Sequence, residues 1–230
     1  MKEILSSVFT VETACNGRHG LEVARSSIPN LIITDVMMPE LDGFRFTNKV
    51  RESPETSHIP IIMLTAKADH LDRIQGLQTG VDDYLTKPFD ISELLVRSQN
   101  LINQRKHLLK RFSSKSLFQP SEIASTPVDD VFLTKVMQTI ESEFANPDFG
   151  VEDLSRSVAF SRSQLHRKLK ALTDKSPNEL IRIFRLERAK MLLQDKAGNA
   201  SEIAYQVGFN SLPYFSKCYK DQFGISPSEV

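Results

Sequence analysis

The chain has 230 residues, of which 40% are hydrophobic and 25% are charged, and its formal net charge is zero. This composition is typical of globular proteins and excludes a disordered chain, and the length is sufficient for two domains with separate cores. No apolar run reaches the roughly 18 residues that a membrane-spanning helix needs, and no signal-peptide pattern opens the chain. We therefore expect a cytoplasmic protein without membrane contact, in which Cys15 and Cys218 are free thiols.

The first hundred residues alternate short β-rich runs with helical patterns. Strands that alternate with helices predict βαβ units, and hence an α/β domain with a parallel sheet and helices on both faces. The predicted strands cover 9–14, 31–34, 59–66 and 83–86, and the predicted helices cover 18–27, 43–53, 70–79 and 90–106.

The helical periodicity fades between residues 107 and 127, where Ser, Lys and Pro are frequent, and this predicts an exposed linker. The pattern after it is entirely helical. Asp129 or Asp130 is expected to cap a helix that runs to Phe144. The sequence thus predicts a domain at 1–106, a linker at 107–127 and an all-α domain at 128–230.

Three polar side chains, Asp35, Thr65 and Lys87, each end or directly follow a predicted strand. The carboxyl ends of parallel strands lie at one edge of a sheet, where ligands bind in open α/β folds. A carboxylate there can attack phosphorus, while a hydroxyl and an ammonium hold the transferred phosphoryl oxygens. Each residue alone also fits an ordinary helix cap or turn, and it is the three together that indicate phosphoryl transfer.

The run Asp35-Val-Met-Met-Pro-Glu-Leu-Asp-Gly43, with Thr65 and Lys87-Pro88, resembles the receiver domain of two-component response regulators over residues 1–106. The resemblance implies a flavodoxin-like fold and makes Asp35 the phosphoacceptor, with Thr65 and Lys87 as ligands of the phosphoryl group. It also implies a histidine kinase, or another phosphohistidine donor, as the partner that supplies the phosphoryl group.

The same resemblance makes Tyr84 an aromatic switch residue and the Lys87–Pro88 bond cis. Mg²⁺ is the implied cofactor, bound by Asp35 and by the main-chain carbonyl of Met37. Receiver domains begin with a strand that ends in an acidic pair, and neither the strand nor the pair is present in this sequence. We therefore expect a sheet without its first strand, a weak Mg²⁺ site and inefficient phosphorylation.

Other carboxylates lie near this pattern in the sequence, at Asp42, Asp82 and Asp83, but the resemblance makes none of them a metal ligand. The missing strand leaves two explanations. Either the sequence is a piece of a longer protein, such as a fusion of a sensor kinase with a regulator, or the natural start falls too late to include the strand.

Basic residues are concentrated in the second half of the chain, where residues 161–190 contain nine Lys or Arg residues and three acidic residues. A local basic surface is what binding to phosphates requires, although a solvated helix face is also charged. Charge alone therefore leaves both interpretations open.

A helix, a tight turn and a second helix are predicted at 151–173. Ala159 and Phe160 form the turn, and Ser161 caps the second helix, whose buried stripe contains Leu165 and Leu169. The free face of that helix suits hydrogen bonding to base edges in a major groove. Its side chains are Ser163, Gln164, His166, Arg167 and Lys170.

A second copy of this pattern follows at 201–223, and the segment 177–193 predicts a single helix between the copies. Equivalent positions carry equivalent residue types in the two copies. Leu154, Val158, Phe160, Ser161, Leu165 and Leu169 parallel Ile203, Val207, Phe209, Ser211, Phe215 and Tyr219.

The two units, with Gly208-Phe209, Tyr214-Phe215 and Phe223-Gly224, resemble the DNA-binding domain of the AraC/XylS family of transcription regulators. The resemblance implies promoter DNA and RNA polymerase as partners and makes Ser163, His166 and Arg167 base readers of the first unit. In the second unit the matching residues offer few donors, and we expect them to hold the DNA backbone. They are Ser211, Leu212, Ser216 and Lys217.

The function expected from these motifs is that of a sequence-specific transcription regulator, without enzymatic activity, that is controlled by phosphorylation and forms a homodimer through residues 70–106. An enzyme is one alternative, but nothing after residue 128 offers a nucleophile with a base or a cluster of metal ligands. A scaffold that binds only a kinase is another alternative, and the basic second helix argues against it.

Overall fold

The computed structural model describes residues 2–66, 80–112 and 126–230, with side chains as far as Arg105 in the middle range. The helix predicted at 70–79 lies outside the described residues, as does most of the predicted linker. The chain divides into two compact units, Met1–Val131 and Phe132–Val230, which are described separately. Within the described residues, every helix is too short or too polar to cross a lipid bilayer.

The first unit contains a parallel three-stranded sheet, which confirms the predicted α/β class. Its strands lie in the order β1 (Ile32–Asp35), β2 (Ile61–Thr65) and β3 (Asp83–Thr86). The helices of this unit are α1 (Lys2–Leu5), α2 (Gly17–Ser27), α3 (Gly43–Glu52) and α4 (Ile91–Phe112).

The central strand β2 is buried at every residue, as its continuous apolar sequence predicts for a strand covered on both faces. Ile62 and Leu64 pack with Leu85 and Leu94 on one side of the sheet. Ile61 packs on the other side, in a cluster with residues of α3. The strand is therefore held firmly at the centre of the described sheet.

The strand predicted at 9–14 is wrong, because residues 10–14 adopt no regular structure. A strand requires a neighbour for its main-chain hydrogen bonds, and in the described part of the chain the sheet has no strand beside these residues. Two apolar residues of this segment, Phe9 and Val11, nevertheless pack against the core cluster of Ile62 and Leu64.

The second unit is helical throughout its regular structure, as predicted. The boundary between the units falls within α5 (Pro127–Glu143), which begins before the predicted cap because the Thr126 hydroxyl accepts from the Asp129 main-chain N–H. The following helices are α6 (Val151–Ser157), α7 (Arg162–Thr173), α8 (Pro177–Gln194), α9 (Ala200–Gln206) and α10 (Leu212–Phe223).

The two helix-turn-helix units repeat in the structure as they do in the sequence. Ser161 caps α7 and Ser211 caps α10, in each case by accepting from a main-chain N–H three residues later. The paired apolar positions are buried in both copies except Phe160, which is half-buried. Leu154, Leu165, Ile203 and Phe215 have no exposed surface. The predicted single helix between the copies is α8.

Candidate functional sites

The three strand-end residues of the first unit meet at one edge of the sheet. Asp35 is the last residue of β1 and pairs in register with Leu64, so Thr65 lies one residue further along β2. The Lys87 ammonium forms an ion pair with Asp35 Oδ2, and its main-chain N–H donates to the Thr65 carbonyl at 2.7 Å. The sheet therefore brings a carboxylate, a hydroxyl and an ammonium to one place.

The chain after Asp35 turns tightly and leaves no room for a side chain at Gly43. The Gly43 N–H donates to the Val36 carbonyl at 2.9 Å, and a Cβ on Gly43 would lie inside van der Waals distance of the Asp35 carbonyl oxygen. Asp42 caps α3 by accepting from the Arg45 N–H at 2.9 Å. The glycine thus allows α3 to begin directly beside the carboxylate.

The two remaining residues of the predicted receiver site lie close to these strand ends. Met37 is 81% exposed, and its N–H donates to Asp35 Oδ1 at 3.3 Å. Tyr84 lies on β3, and its hydroxyl oxygen is buried. The Lys87–Pro88 peptide bond is cis, which confirms that expectation.

The carboxylates that stand near the motif in the sequence have other partners in the structure. Asp82 forms an ion pair with Arg51 at 2.6 Å, and Asp83 forms one with Arg97 at 2.8 Å. Among the described residues, no three His, Cys, Asp or Glu side chains are grouped to hold a metal ion. One carboxylate and a main-chain carbonyl, at Asp35 and Met37, still fit the donor set of Mg²⁺, which keeps several waters and binds phosphate oxygens.

In the second unit, α7 presents its predicted face to an open groove of about 710 Å³. Ser163 and His166 are exposed, and Arg167 is half-buried with its Nε donating to the Ser163 carbonyl at 3.3 Å. Ser176 and Asn178, at the start of α8, line the same groove and were not predicted as site residues. The sequence signal for them is the helix-start pattern Ser-Pro-Asn-Glu.

Two of the polar residues predicted on this face also serve the helix itself. The Gln164 amide oxygen accepts from the Ser161 N–H at 2.9 Å and completes a capping box. Lys170 donates to the Asp174 carbonyl at 2.8 Å and forms an ion pair with its carboxylate at 3.0 Å. The groove is therefore lined by Ser163, His166 and Arg167 rather than by the whole predicted set.

Lys168, one of the nine basic residues of the 161–190 segment, is not on the surface. Its side chain has no exposed area, and its ammonium lies 5.4 Å from the centre of the Phe132 ring. A cation over an aromatic ring is favourable when both are removed from water. Lys168 therefore adds nothing to the exposed positive charge of α7.

Several other basic residues of the 161–190 segment hold the helices together. Arg185 donates from Nε to the Phe144 carbonyl at 2.9 Å and from Nη2 to the Asn146 carbonyl at 2.7 Å. Arg188 forms an ion pair with Glu141 at 2.6 Å. The positive charge counted in the 161–190 segment is consequently larger than the positive charge available to bind phosphates.

The predicted contacts of the second unit lie along α10. Ser211 is exposed but caps the helix, and Leu212 is half-buried against the apolar core of the unit. Ser216 is half-buried and Lys217 is exposed. Among these four residues, Lys217 is the exposed cation.

Both parts of the chain are similar to known protein families. Residues 1–99 match the model of the response regulator receiver domain, and residues 154–230 match that of a helix-turn-helix domain. The whole chain is 38% identical over 229 residues to a protein named Histidine kinase P4 from Formosa agariphila, and it spans 17% of that relative's length.

Solved structures resemble each part of the chain separately. The receiver domain of a sensor histidine kinase from Pseudomonas aeruginosa, with a magnesium ion coordinated in its active site cleft, is 34% identical with a TM-score of 0.42. The match covers 44% of this chain and 84% of that one. A transcriptional regulator with an AraC-type DNA-binding domain from Chromobacterium violaceum is 31% identical with a TM-score of 0.41, over 43% of this chain and 88% of that one.

The family matches fall on the two structural units that carry the strand-end site and the duplicated helix-turn-helix. Their order along the chain is the order expected from the motifs. The chain consists of a response regulator receiver domain followed by an AraC-type helix-turn-helix domain.

Proposed function

We propose that this chain is the output part of a two-component phosphorelay, in which phosphorylation of Asp35 controls sequence-specific binding of the second unit to promoter DNA. We assign residues 1–106 to the receiver, 107–127 to the linker, whose first residues continue α4 as far as Phe112, and 128–230 to the DNA-binding domain. The observation that carries the proposal is the pairing of Asp35 with Lys87 at the strand ends, in one chain with two complete helix-turn-helix units. The likeness to a histidine kinase over the full length of the chain supports a hybrid protein as its context.

The geometry of Asp35 supports a simple phosphoryl transfer. An Asp35 carboxylate oxygen attacks the phosphorus of a phosphohistidine, a P–O bond forms, and the P–N bond to the donor imidazole breaks. Lys87 gives up its ion pair with the free carboxylate and neutralises a phosphoryl oxygen, while the Thr65 hydroxyl donates to another. Asp35 and the Met37 carbonyl would hold Mg²⁺, whose charge lowers the repulsion between the phosphoryl oxygens and the carboxylate.

Arg167 is the residue on which sequence recognition by the first unit is expected to depend. Its planar guanidinium can donate to both acceptors of a guanine edge, a geometry that lysine does not offer. Arg167→Ala is expected to weaken binding to the cognate duplex by about 1–3 kcal/mol and to change binding to scrambled DNA far less. Competition titrations on both duplexes at several salt concentrations measure this difference.

An equal loss on the two duplexes would make Arg167 a backbone contact and move recognition to His166 or Ser163. An absence of salt-dependent binding by the unmodified chain to any duplex would instead contradict DNA binding itself, because phosphate contacts release counterions.

Lys168 provides a second prediction for the same titration. Because the Lys168 ammonium is buried over Phe132, Lys168→Met is expected to change the affinity for either duplex by less than about twofold. The salt slope, which is the dependence of the logarithm of the binding constant on the logarithm of the salt concentration, should stay unchanged. Lys170→Met is the matched comparison, since Lys170 lies on the same helix with its side chain 52% exposed, and it should weaken both duplexes alike. A flatter salt slope for Lys168→Met would show that the ammonium reaches DNA.

A further inference from the structure

A cluster of buried charges lies in the first unit, away from the phosphoacceptor edge. Asp129, in the first turn of α5, has no exposed surface, and its carboxylate accepts from the Ser57 hydroxyl at 2.8 Å and from the Thr126 hydroxyl at 2.8 Å. Ser57 is equally buried and lies 72 residues earlier in the chain. A capping residue alone needs no such distant partner.

Arg51 continues this cluster toward the sheet. Its Nη1 donates to the Ser57 carbonyl at 2.8 Å, its Nε to the Gly80 carbonyl at 2.7 Å, and its Nη2 to Asp82 Oδ2 at 2.6 Å. The same Asp82 oxygen accepts from the Ile61 N–H at 2.7 Å, at the start of β2. Hydrogen bonds therefore run without a break from α5 through Ser57 and Arg51 to the residues that precede β3.

The charges of this cluster depend on one another. Burial lowers the pKa of Arg51, while Asp82 and Asp129 oppose that shift. Arg105 of α4 is affected more strongly, because burial lowers its pKa to about 10 against the attraction of Asp129 and Asp82. Arg51 and Arg105 thus lie near two carboxylates, and loss of either one leaves a single carboxylate to offset the two buried positive charges.

The strand β3 joins this cluster to the phosphoacceptor edge. Asp82 directly precedes the first residue of β3, and Lys87 directly follows its last. The strand is four residues long and is hydrogen-bonded to β2 along its length. Movement of Lys87 and movement of the Gly80–Asp82 segment are therefore linked by a short, rigid element.

We propose that Asp129 is a coupling residue: it makes the first turn of α5 part of the receiver unit and passes rearrangements of the Gly80–Asp82 segment into the helix that continues toward the helix-turn-helix domain. The regulatory sense of this coupling rests on the proposed function. The physical link between Asp82 and α5 is independent of the proposed function, and it can be tested without phosphorylation or DNA.

The test is native-state hydrogen exchange on the full chain, read at the amides of residues 130–133. Asp129→Asn is expected to raise their exchange rates by about tenfold or more, because α5 loses its charged anchor. Asp130→Asn is the matched control, since it removes the same charge from the adjacent position of the same turn, and it should change these rates by less than about twofold. The amide of Leu165 in α7 reports on the second unit and should stay unchanged in both.

The link from the Gly80–Asp82 segment to α5 is tested with Asp82→Asn, because Asp82 makes no hydrogen bond to α5 itself. It is expected to raise exchange at 130–133, and the double variant with Asp129→Asn should exchange no faster than Asp129→Asn alone. Equal effects of Asp129→Asn and Asp130→Asn, no effect of Asp82→Asn, or effects that multiply in the double variant would each overturn the proposal. Should Asp129→Asn fail to fold, Ser57→Ala removes only the hydroxyl donor and should raise exchange at the same amides; no rise would overturn the proposal equally.

Discussion

Gly208→Ala is expected to destabilise the second unit by about 3–4 kcal/mol, the sum of a backbone cost and a lost charged hydrogen bond. Gly208 has a φ of +84°, a conformation in which a side chain is strained. A Cβ at this position would also overlap the Phe144 carbonyl oxygen, which accepts from Arg185 Nε at 2.9 Å. The alanine can be accommodated only if that carbonyl moves and the half-buried guanidinium of Arg185 loses its hydrogen bond from Nε, while the bond from Nη2 to Asn146 remains.

Gly224→Ala is the matched control for this change. Gly224 has a φ of +79°, and no atom lies within 4 Å of the position that its Cβ would take. Its substitution should cost only the backbone strain, about 1 kcal/mol. Chemical denaturation followed through the second unit measures both values, and equal losses for the two variants would show that the crowding at Gly208 is relieved without cost.

Asp35→Asn is expected to abolish labelling of the chain by acetyl phosphate or by a phosphohistidine donor. An amide oxygen is a far weaker nucleophile than a carboxylate, and the substitution also removes the ion pair that holds Lys87 at the site. Labelling is measured as incorporated phosphate on the intact chain, and cleavage by alkali and by hydroxylamine, which is characteristic of an acyl phosphate, is checked in parallel.

Asp42→Asn serves as the control for that experiment, because Asp42 caps α3 seven residues after Asp35 and an asparagine can accept the same hydrogen bond. Labelling should persist in this variant. Label that survives in Asp35→Asn, or disappears equally in Asp42→Asn, would contradict the assignment of the phosphoacceptor.

The meeting of the three strand ends at one edge of the sheet could be predicted because it depends on topology. Asp35, Thr65 and Lys87 stand at the ends of three parallel strands, and the geometry of such sheets brings these ends together. The duplicated helix-turn-helix could be predicted for a similar reason, since apolar spacing and serine caps are local signals. The failure at 9–14 has the opposite cause, because a strand depends on a neighbour that its own sequence does not specify.

Lys168 shows how charge and spacing can conflict. It stands three residues after Leu165 and four before Leu172, which places it on the buried side of α7. Its charge favours a position on the surface. The ammonium can be buried because it lies over the Phe132 ring, which belongs to a different helix. The burial of Asp129 could not be predicted for the same reason, because its partner Ser57 lies 72 residues earlier and comes close only in the folded chain.

The two helix-turn-helix turns are not interchangeable parts. Ala159 adopts a φ of +59° with its side chain exposed, whereas Gly208 occupies the equivalent turn against the Phe144 carbonyl. An alanine in the turn of the second unit would bring its methyl group into contact with that carbonyl. A glycine in the turn of the first unit would only delete the exposed methyl group of Ala159. Anyone who recombines these modules to alter binding specificity can therefore exchange the outer faces of α7 and α10, but should leave each turn with its own unit.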